Sequence, residues 1–109
     1  MEVAWDPAKE AANLAKHGIS FVAAARVLES GTTFEFQSDR GSEPRWVAIG
    51  IHPAIPKIVA VVYTMREGRY RIISARRART NEEEEYRKHF ARRAPETGQG
   101  EEARPNDER

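Results

Sequence analysis

Six arginines fall between positions 66 and 79, at 66, 69, 71, 76, 77 and 79, against one acid, Glu67. A guanidinium is planar, permanently charged and rich in paired N–H donors, which suits the oxygens of a phosphate or a carboxylate. The stretches flanking Glu67-Gly68 are strand-forming: Lys57 through Met65 before it, Tyr70 through Arg79 after it. The glycine supplies the positive φ of a tight hairpin, so the spacing predicts two antiparallel strands turning at 66–69. With a two-residue loop, Arg66 opposes Arg69 and Thr64 opposes Arg71, and opposed side chains share a face. One face then gathers Arg66, Arg69, Arg71 and Thr64 with Val62, Ile73 and Ala75. The other gathers Met65, Tyr70, Tyr63, Ile72, Val61 and Ser74, and ends at Arg76. On this count Arg71 and Arg76 look to opposite sides, and only a twist or a bulge brings them to one phosphate. Opposed like charges destabilise a hairpin unless an anion offsets them. The bland alternative is a wet edge whose arginines pair with nearby glutamates.

Several chemistries are not expected from the remaining residues. His17, His52 and His89 lie far apart, no HExxH motif is present, and Glu82 to Glu85 fit a helix N-terminus better than a ligand cluster, so no metal site or cofactor is expected. There is no cysteine, no glycine-rich phosphate loop and no serine elbow, Ser74 lying mid-strand. What the arginines fit is phosphoryl chemistry on RNA without a metal. Attack by a ribose 2′-OH needs a base, an acid for the leaving 5′ oxygen, and cations around the phosphorus. His17, Tyr86 or Lys16 are the candidates for the protons. Tyr70 and Trp46 are candidates for stacking on bases, in competition with the core. His17 alternatively serves as a helix C-terminal cation.

These side chains need elements to hold them. Asp6-Pro7 reads as a helix start, Ala8, Ala11, Ala12 and Ala15 give a small-residue face, and Gly18 reads as the C-cap. Trp5 is expected to pack under that helix. Ser20 starts a second helix with Phe21, Ala24, Ala25 and Leu28 on one stripe, ending near Ser30-Gly31. Thr32 to Phe36 reads as a strand, Gln37 to Pro44 as a loop, Arg45 to Ile51 as a strand, and His52 to Pro56 as a rigid connection. The central hairpin supplies strands three and four. Thr80 to Glu83 reads as a capping box opening a last helix that docks on Tyr86 and Phe90 alone, with Ala94 at its end. The expected fold is α+β: two N-terminal helices, a four-stranded antiparallel sheet with its helices to one side, and a C-terminal helix. Residues 1–94 form one domain, and 95–109 form a disordered polar, acidic tail. The net charge of +1 divides into −3 on 95–109 and +4 on 1–94, which fits an anionic partner for the folded part. No signal peptide and no spanning segment is expected, which makes a cytoplasmic protein the default.

The run Trp5-Asp6, Lys9, Asn13, Lys16-His17-Gly18-Ile19, Phe21 resembles the opening motif of BrnT-type toxins. Arg45-Trp46 through Gly50 resembles the same family, as does Arg66 through Ala78 followed by Glu85-Tyr86; together these cover roughly residues 3–90. The resemblance implies a small ribonuclease toxin of a type II toxin–antitoxin pair with a RelE-like fold. Its partner would be a BrnA-type ribbon-helix-helix antitoxin, in an assembly of two toxins and two antitoxins, touching DNA only through that antitoxin. By position, Lys16, His17, Arg45, Arg66, Arg71, Arg76, Arg77, Glu85 and Tyr86 match the family pattern. The expected catalytic set is Arg66, Arg71 and Arg76 on phosphate with His17 or Tyr86 moving the proton, and Lys16, Arg45, Arg69 and Arg77 binding RNA. Two other classes compete: a noncatalytic RNA- or protein-binding module whose arginines dock a partner's carboxylates, and a regulatory subunit acting on DNA through its partner.

Overall fold

A computed structural model describes residues 1–38, 41–52 and 54–93, apart from the side chains at 55, 56 and 91–93. In chain order the elements are β1 (Val3–Ala4), α1 (Pro7–His17), α2 (Phe21–Glu29), β2 (Phe34–Ser38), β3 (Arg45–His52), β4 (Ile55–Arg66), β5 (Arg69–Arg77) and α3 (Thr80–Arg93). The first two helices begin and end at local signals. The Asp6 carboxylate accepts from the Ala8 amide, and Gly18 closes α1 at φ 73. The Ser20 hydroxyl accepts from the Ala23 amide to open α2.

The sheet departs from the four antiparallel strands expected. It has five strands in the order β1-β5-β4-β3-β2, and β1 runs parallel to β5, pairing Val3 with Tyr70 and Ala4 with Arg71. The sheet is therefore mixed, still within an α+β fold, and the chain opens on a strand rather than on a helix. Two residues are too few for alternation to mark β1 in the sequence. β2 runs on through Gln37 and Ser38, which the sequence reading placed in a loop. β4 begins at Ile55, so Pro56 lies inside a strand rather than in a rigid connection. The expected helix end at Ala94 and the acidic tail lie outside the described residues.

The helices do not share one side. Phe21, Ala24, Val27 and Leu28 of α2 pack with Ala48, Val59, Val61, Tyr63, Ile72 and Ala75 on one face. Tyr86 and Phe90 of α3 pack with Val47, Ile49, Ile58 and Ala60 on the other. That is why the inner strands are apolar on both faces. Trp5 meets Phe21 of α2 edge-to-face at 6.1 Å and packs against the α2 core. α2 comes so close that a Cβ on Gly50 of β3 would lie 2.9 Å from Val27 Cγ1 and 2.9 Å from Thr33 Cγ2. Each large aliphatic or aromatic side chain fully buried in these layers contributes about 1.5–3 kcal/mol.

Candidate nucleic-acid interface

The hairpin turn is a two-residue loop with both central residues at positive φ, Glu67 at 53 and Gly68 at 79, as a type I′ turn requires. Arg66 pairs with Arg69 and Thr64 with Arg71. The pairing then shifts between Val62 and Tyr63: Tyr63 faces Ile72, but Val62 faces Ser74 and Ala60 faces Arg76. Ile73 is the extra residue of a β-bulge. Everything after it changes side. Ser74 and Arg76 join Arg71 on the α3 face, and Ala75 turns into the α2 core, reversing the face assignment read from strict alternation.

The α3 face can now be followed across the sheet in rows. Ser38 pairs with Arg45 in the row that also holds Thr64 and Arg71. The next row is Phe36, Val47, Val62 and Ser74, and the next is Phe34, Ile49, Ala60 and Arg76. α3 packs over the third row and against Val47, leaving space over the rest of the second. The result is a cavity of about 240 Å³ with Phe36, Val47 and Val62 as its floor. Ser38 and Arg45 stand at one rim; Arg76, Arg79 and Glu82 stand at the other.

The arginines on this face of the sheet differ in how they are held. Arg76 makes a two-pronged pair with Glu82, Nη1 to Oε1 at 2.8 Å and Nη2 to Oε2 at 3.0 Å, with side chains 19% and 6% exposed. Glu82 Oε1 also accepts from the Arg79 amide at 2.8 Å, and the Glu83 amide donates to the Arg79 carbonyl. The cap therefore lies at Arg79, one residue before the Thr80 expected. Burial alone would raise the Glu82 carboxyl, but the Arg76 guanidinium, the Arg79 amide and the two positive charges outweigh it and hold the group below its ordinary range. Arg45 is different. Its Nε is buried and has no hydrogen-bond partner among the described residues. Gly41 lies beside its guanidinium, where a Cβ would sit 3.5 Å from it, in ordinary contact. Arg71 forms no ion pair or hydrogen bond through its side chain among the described residues.

At the hairpin end, Arg66 Nη2 meets Glu43 Oε1 at 2.9 Å and Arg69 Nε meets Glu2 Oε1 at 2.9 Å, all exposed. Arg66, Glu43 and Arg69, with Ala4, Glu67 and Arg71, line a second, open concavity of about 490 Å³. Arg66, through its hydrogen bonds, together with the charges of Arg45 and Arg71, holds the Glu43 carboxyl below its ordinary range.

The proton-transfer candidates lie elsewhere. Tyr86 is buried against Val47, Ile49, Ile58 and Ala60, its ring 4.6 Å from that of Phe90, and burial raises its hydroxyl. His17 is exposed at the end of α1, in a groove with Lys9 and Lys16. Arg77 pairs with Val59 and so belongs to the α2 face. Trp46 and Tyr70 pack against the α2 core instead of standing free. Among the described residues no group of three His, Cys, Asp or Glu side chains could hold a metal ion, and no helix is long and apolar enough to cross a membrane. Sequence reasoning passed over Phe36, Ser38, Glu43, Arg79 and Glu82. Continuing the Phe34-x-Phe36 alternation to Ser38 would have placed two of these groups, Phe36 and Ser38, on the face of Arg45.

A family model described as the ribonuclease toxin BrnT of type II toxin–antitoxin systems matches residues 5–82. The chain belongs to the BrnT family. Among solved structures, the BrnT ribonuclease toxin of Brucella abortus is 28% identical, with a TM-score of 0.59, over 73% of this chain and 99% of that one. A comparison with curated proteins finds no match. Membership of a type II toxin family implies an RNA target and an antitoxin partner.

Proposed function

We propose that this BrnT-family chain is a metal-independent endoribonuclease that holds RNA on the α3 face of its sheet. The carrying observation is Arg45, a guanidinium whose buried Nε lacks a partner among the described residues at the rim of a cavity. An unsatisfied buried donor costs about 1–3 kcal/mol, more for a charged group, and a phosphate oxygen entering the cavity would remove that cost. Arg71, in the same row but lining the hairpin-end concavity, supplies a second unpaired charge beside it, and Arg76 a third, within the cavity, that is shared with Glu82. Phe36, exposed on the cavity floor, offers a ring for one base to stack on. In cleavage the ribose 2′ oxygen bonds to phosphorus as the bond to the 5′ oxygen breaks. Glu43, kept ionised by its arginines, takes the 2′ proton, and the leaving 5′ oxygen is protonated from solvent at the open side. The arginines stabilise the charge that develops on the phosphorane.

The antitoxin is proposed to be of the BrnA ribbon-helix-helix type, in a complex of two toxins and two antitoxins in the cytoplasm. Purified chain, RNA and a chelator test the catalytic reading. Cleavage is expected to survive chelation and to fall about 10²-fold in Arg45→Gln or Arg71→Gln with unchanged melting, the usual effect of losing one preorganised donor. Metal-dependent cleavage, or full activity in both variants, overturns it. A second reading has support at the hairpin tip, where Arg66 and Arg69 already hold carboxylates: a noncatalytic module docking a partner's acids. It predicts intact RNA and a salt-sensitive complex.

A further inference from the structure

The bulge that turns Arg76 toward α3 also opens the edge of β5. Ile73 and Ser74 line the arginine cavity and, around the strand edge, a groove of about 320 Å³ against α1. β1 pairs β5 only at Tyr70 and Arg71. Farther along, Asn13 takes the place of a neighbouring strand. Its amide donates to the Ala75 carbonyl at 2.9 Å and its oxygen accepts from the Ala75 amide at 3.1 Å. Residues at i−4, i+3 and i+4 share a helix face with residue i, so the stripe that buries Asn13 also carries Lys9, Lys16 and His17. All three are exposed in the groove, no acid lines it, and none of the three is ion-paired among the described residues. Two lysines on one stripe, beside an imidazole and facing a strand edge with no carboxylate, are a surface that lacks its anion.

We propose that this groove binds the phosphodiester backbone of single-stranded RNA as the strand leaves the arginine cavity over the β5 edge, a proposal that rests on the reading of that cavity as an RNA site. The track turns from one face of the sheet to the other around one β-strand. A duplex, stiff over on the order of 150 base pairs for DNA, cannot follow that turn, whereas a single strand can. Substrate choice is thereby set outside the cavity, by the requirement for an unpaired flank.

The test uses the full chain and non-cleavable 2′-O-methyl oligonucleotides of about three and about nine nucleotides, with binding followed by anisotropy between about 50 and 200 mM salt. Lys9→Gln/Lys16→Gln is expected to weaken the longer strand about tenfold. It should lower its salt slope by roughly 1.4, two phosphates at about 0.7 each, and leave the shorter strand unchanged. Both lysines are exposed, so helix content by circular dichroism should not change. Arg45→Gln/Arg71→Gln is expected to weaken both lengths. If the arginine variant weakens both and the lysine variant changes neither affinity nor slope, the groove proposal falls and the cavity reading stands. If the arginine variant leaves both lengths unaffected, the cavity reading falls and takes the groove with it. Lysine variants that lose a purified antitoxin but keep the longer strand would assign the groove to that protein and overturn the proposal. So would a duplex that competes as well as a single strand.

Discussion

Substituting Glu82→Gln separates what the Arg76–Glu82 pair does for stability from what it does for binding, and the two effects have opposite signs. The amide keeps the shape and an oxygen for the Arg79 N–H, but it removes the charge opposite a guanidinium that is only 19% exposed. Removing one partner of a buried ion pair costs about 3–5 kcal/mol. Arg76 opens on a cavity, so water relieves part of this, and about 2–3 kcal/mol is expected at pH 7. At about 4–8 °C per kcal/mol for a domain of this size, the melting temperature drops by roughly 8–24 °C. A double-mutant cycle with Arg76→Gln should return a coupling of about 2 kcal/mol in urea unfolding. The pH dependence follows from the direction of the shift. The folded carboxyl lies below its ordinary range, so its contribution is complete above the unfolded value near 4.3 and is lost as pH falls through the lowered folded value. The gap between parent and variant should therefore close in acid. Meanwhile Arg76, released from Glu82, is expected to tighten RNA binding severalfold and steepen its salt dependence by up to about one phosphate contact. A variant melting within about 0.5 kcal/mol of the parent, well inside the ~3 kcal/mol expected for a buried pair, refutes the stability argument. RNA affinity lost in step with the charge refutes the placement of Arg76 in the site.

Asn13→Ala removes the partner of the Ala75 amide and carbonyl and of the Ile19 carbonyl, and should cost about 3–4 kcal/mol in urea unfolding, with early hydrogen exchange at the Ala75 amide. Gly50→Ala forces α2 and Thr33 away from β3 and should cost about 1–3 kcal/mol by the same assay. Glu43→Gln should slow cleavage by about 10²-fold or more while leaving the melt nearly unchanged, since Arg66–Glu43 is an exposed pair. An unchanged cleavage rate would exclude Glu43 as the proton acceptor.

The parts of the fold that were legible in the sequence are those whose signals are local. Asp6-Pro7, Gly18 and Ser20 mark helix ends by capping chemistry within three or four residues, and Glu67-Gly68 fixes the hairpin register at its tip. The parts that were not legible depend on distant partners. β1 exists because the Tyr70 amide donates to the Glu2 carbonyl across most of the chain. The bulge at Ile73 leaves no mark in a run of apolar residues that suits either face, yet it decides where Ser74, Ala75 and Arg76 point. α3 carries only Tyr86 and Phe90 as large apolar docking residues, so the thin stripe showed that it docks but not on which face. Glu82 looked like one of four acids at a helix start, and only the fold brings its carboxylate onto Arg76.

The own-acid pairs on this surface are of two kinds, and the difference bears on how a cationic site can exist before its ligand arrives. Opposed arginines repel, and the fold offsets that repulsion with its own carboxylates. Where the pair is exposed, as with Arg66–Glu43 and Arg69–Glu2, it contributes at most about 1 kcal/mol, so a phosphate or a partner's carboxylate can replace the acid at little cost. Where the pair is buried and also caps α3, as with Arg76–Glu82, exchange would uncap a helix and strand a carboxylate, so that pair is fixed and acts through its remaining donors. Between the two kinds stand Arg45 and Arg71, which act on Glu43 only at a distance and form no ion pair among the described residues. The surface thus runs from an exchangeable rim, through two open guanidiniums, to a rigid wall. An anion entering from the hairpin end would meet the exchangeable charges first and the fixed ones last, so salt should weaken the early contacts far more than the final seating of the phosphate.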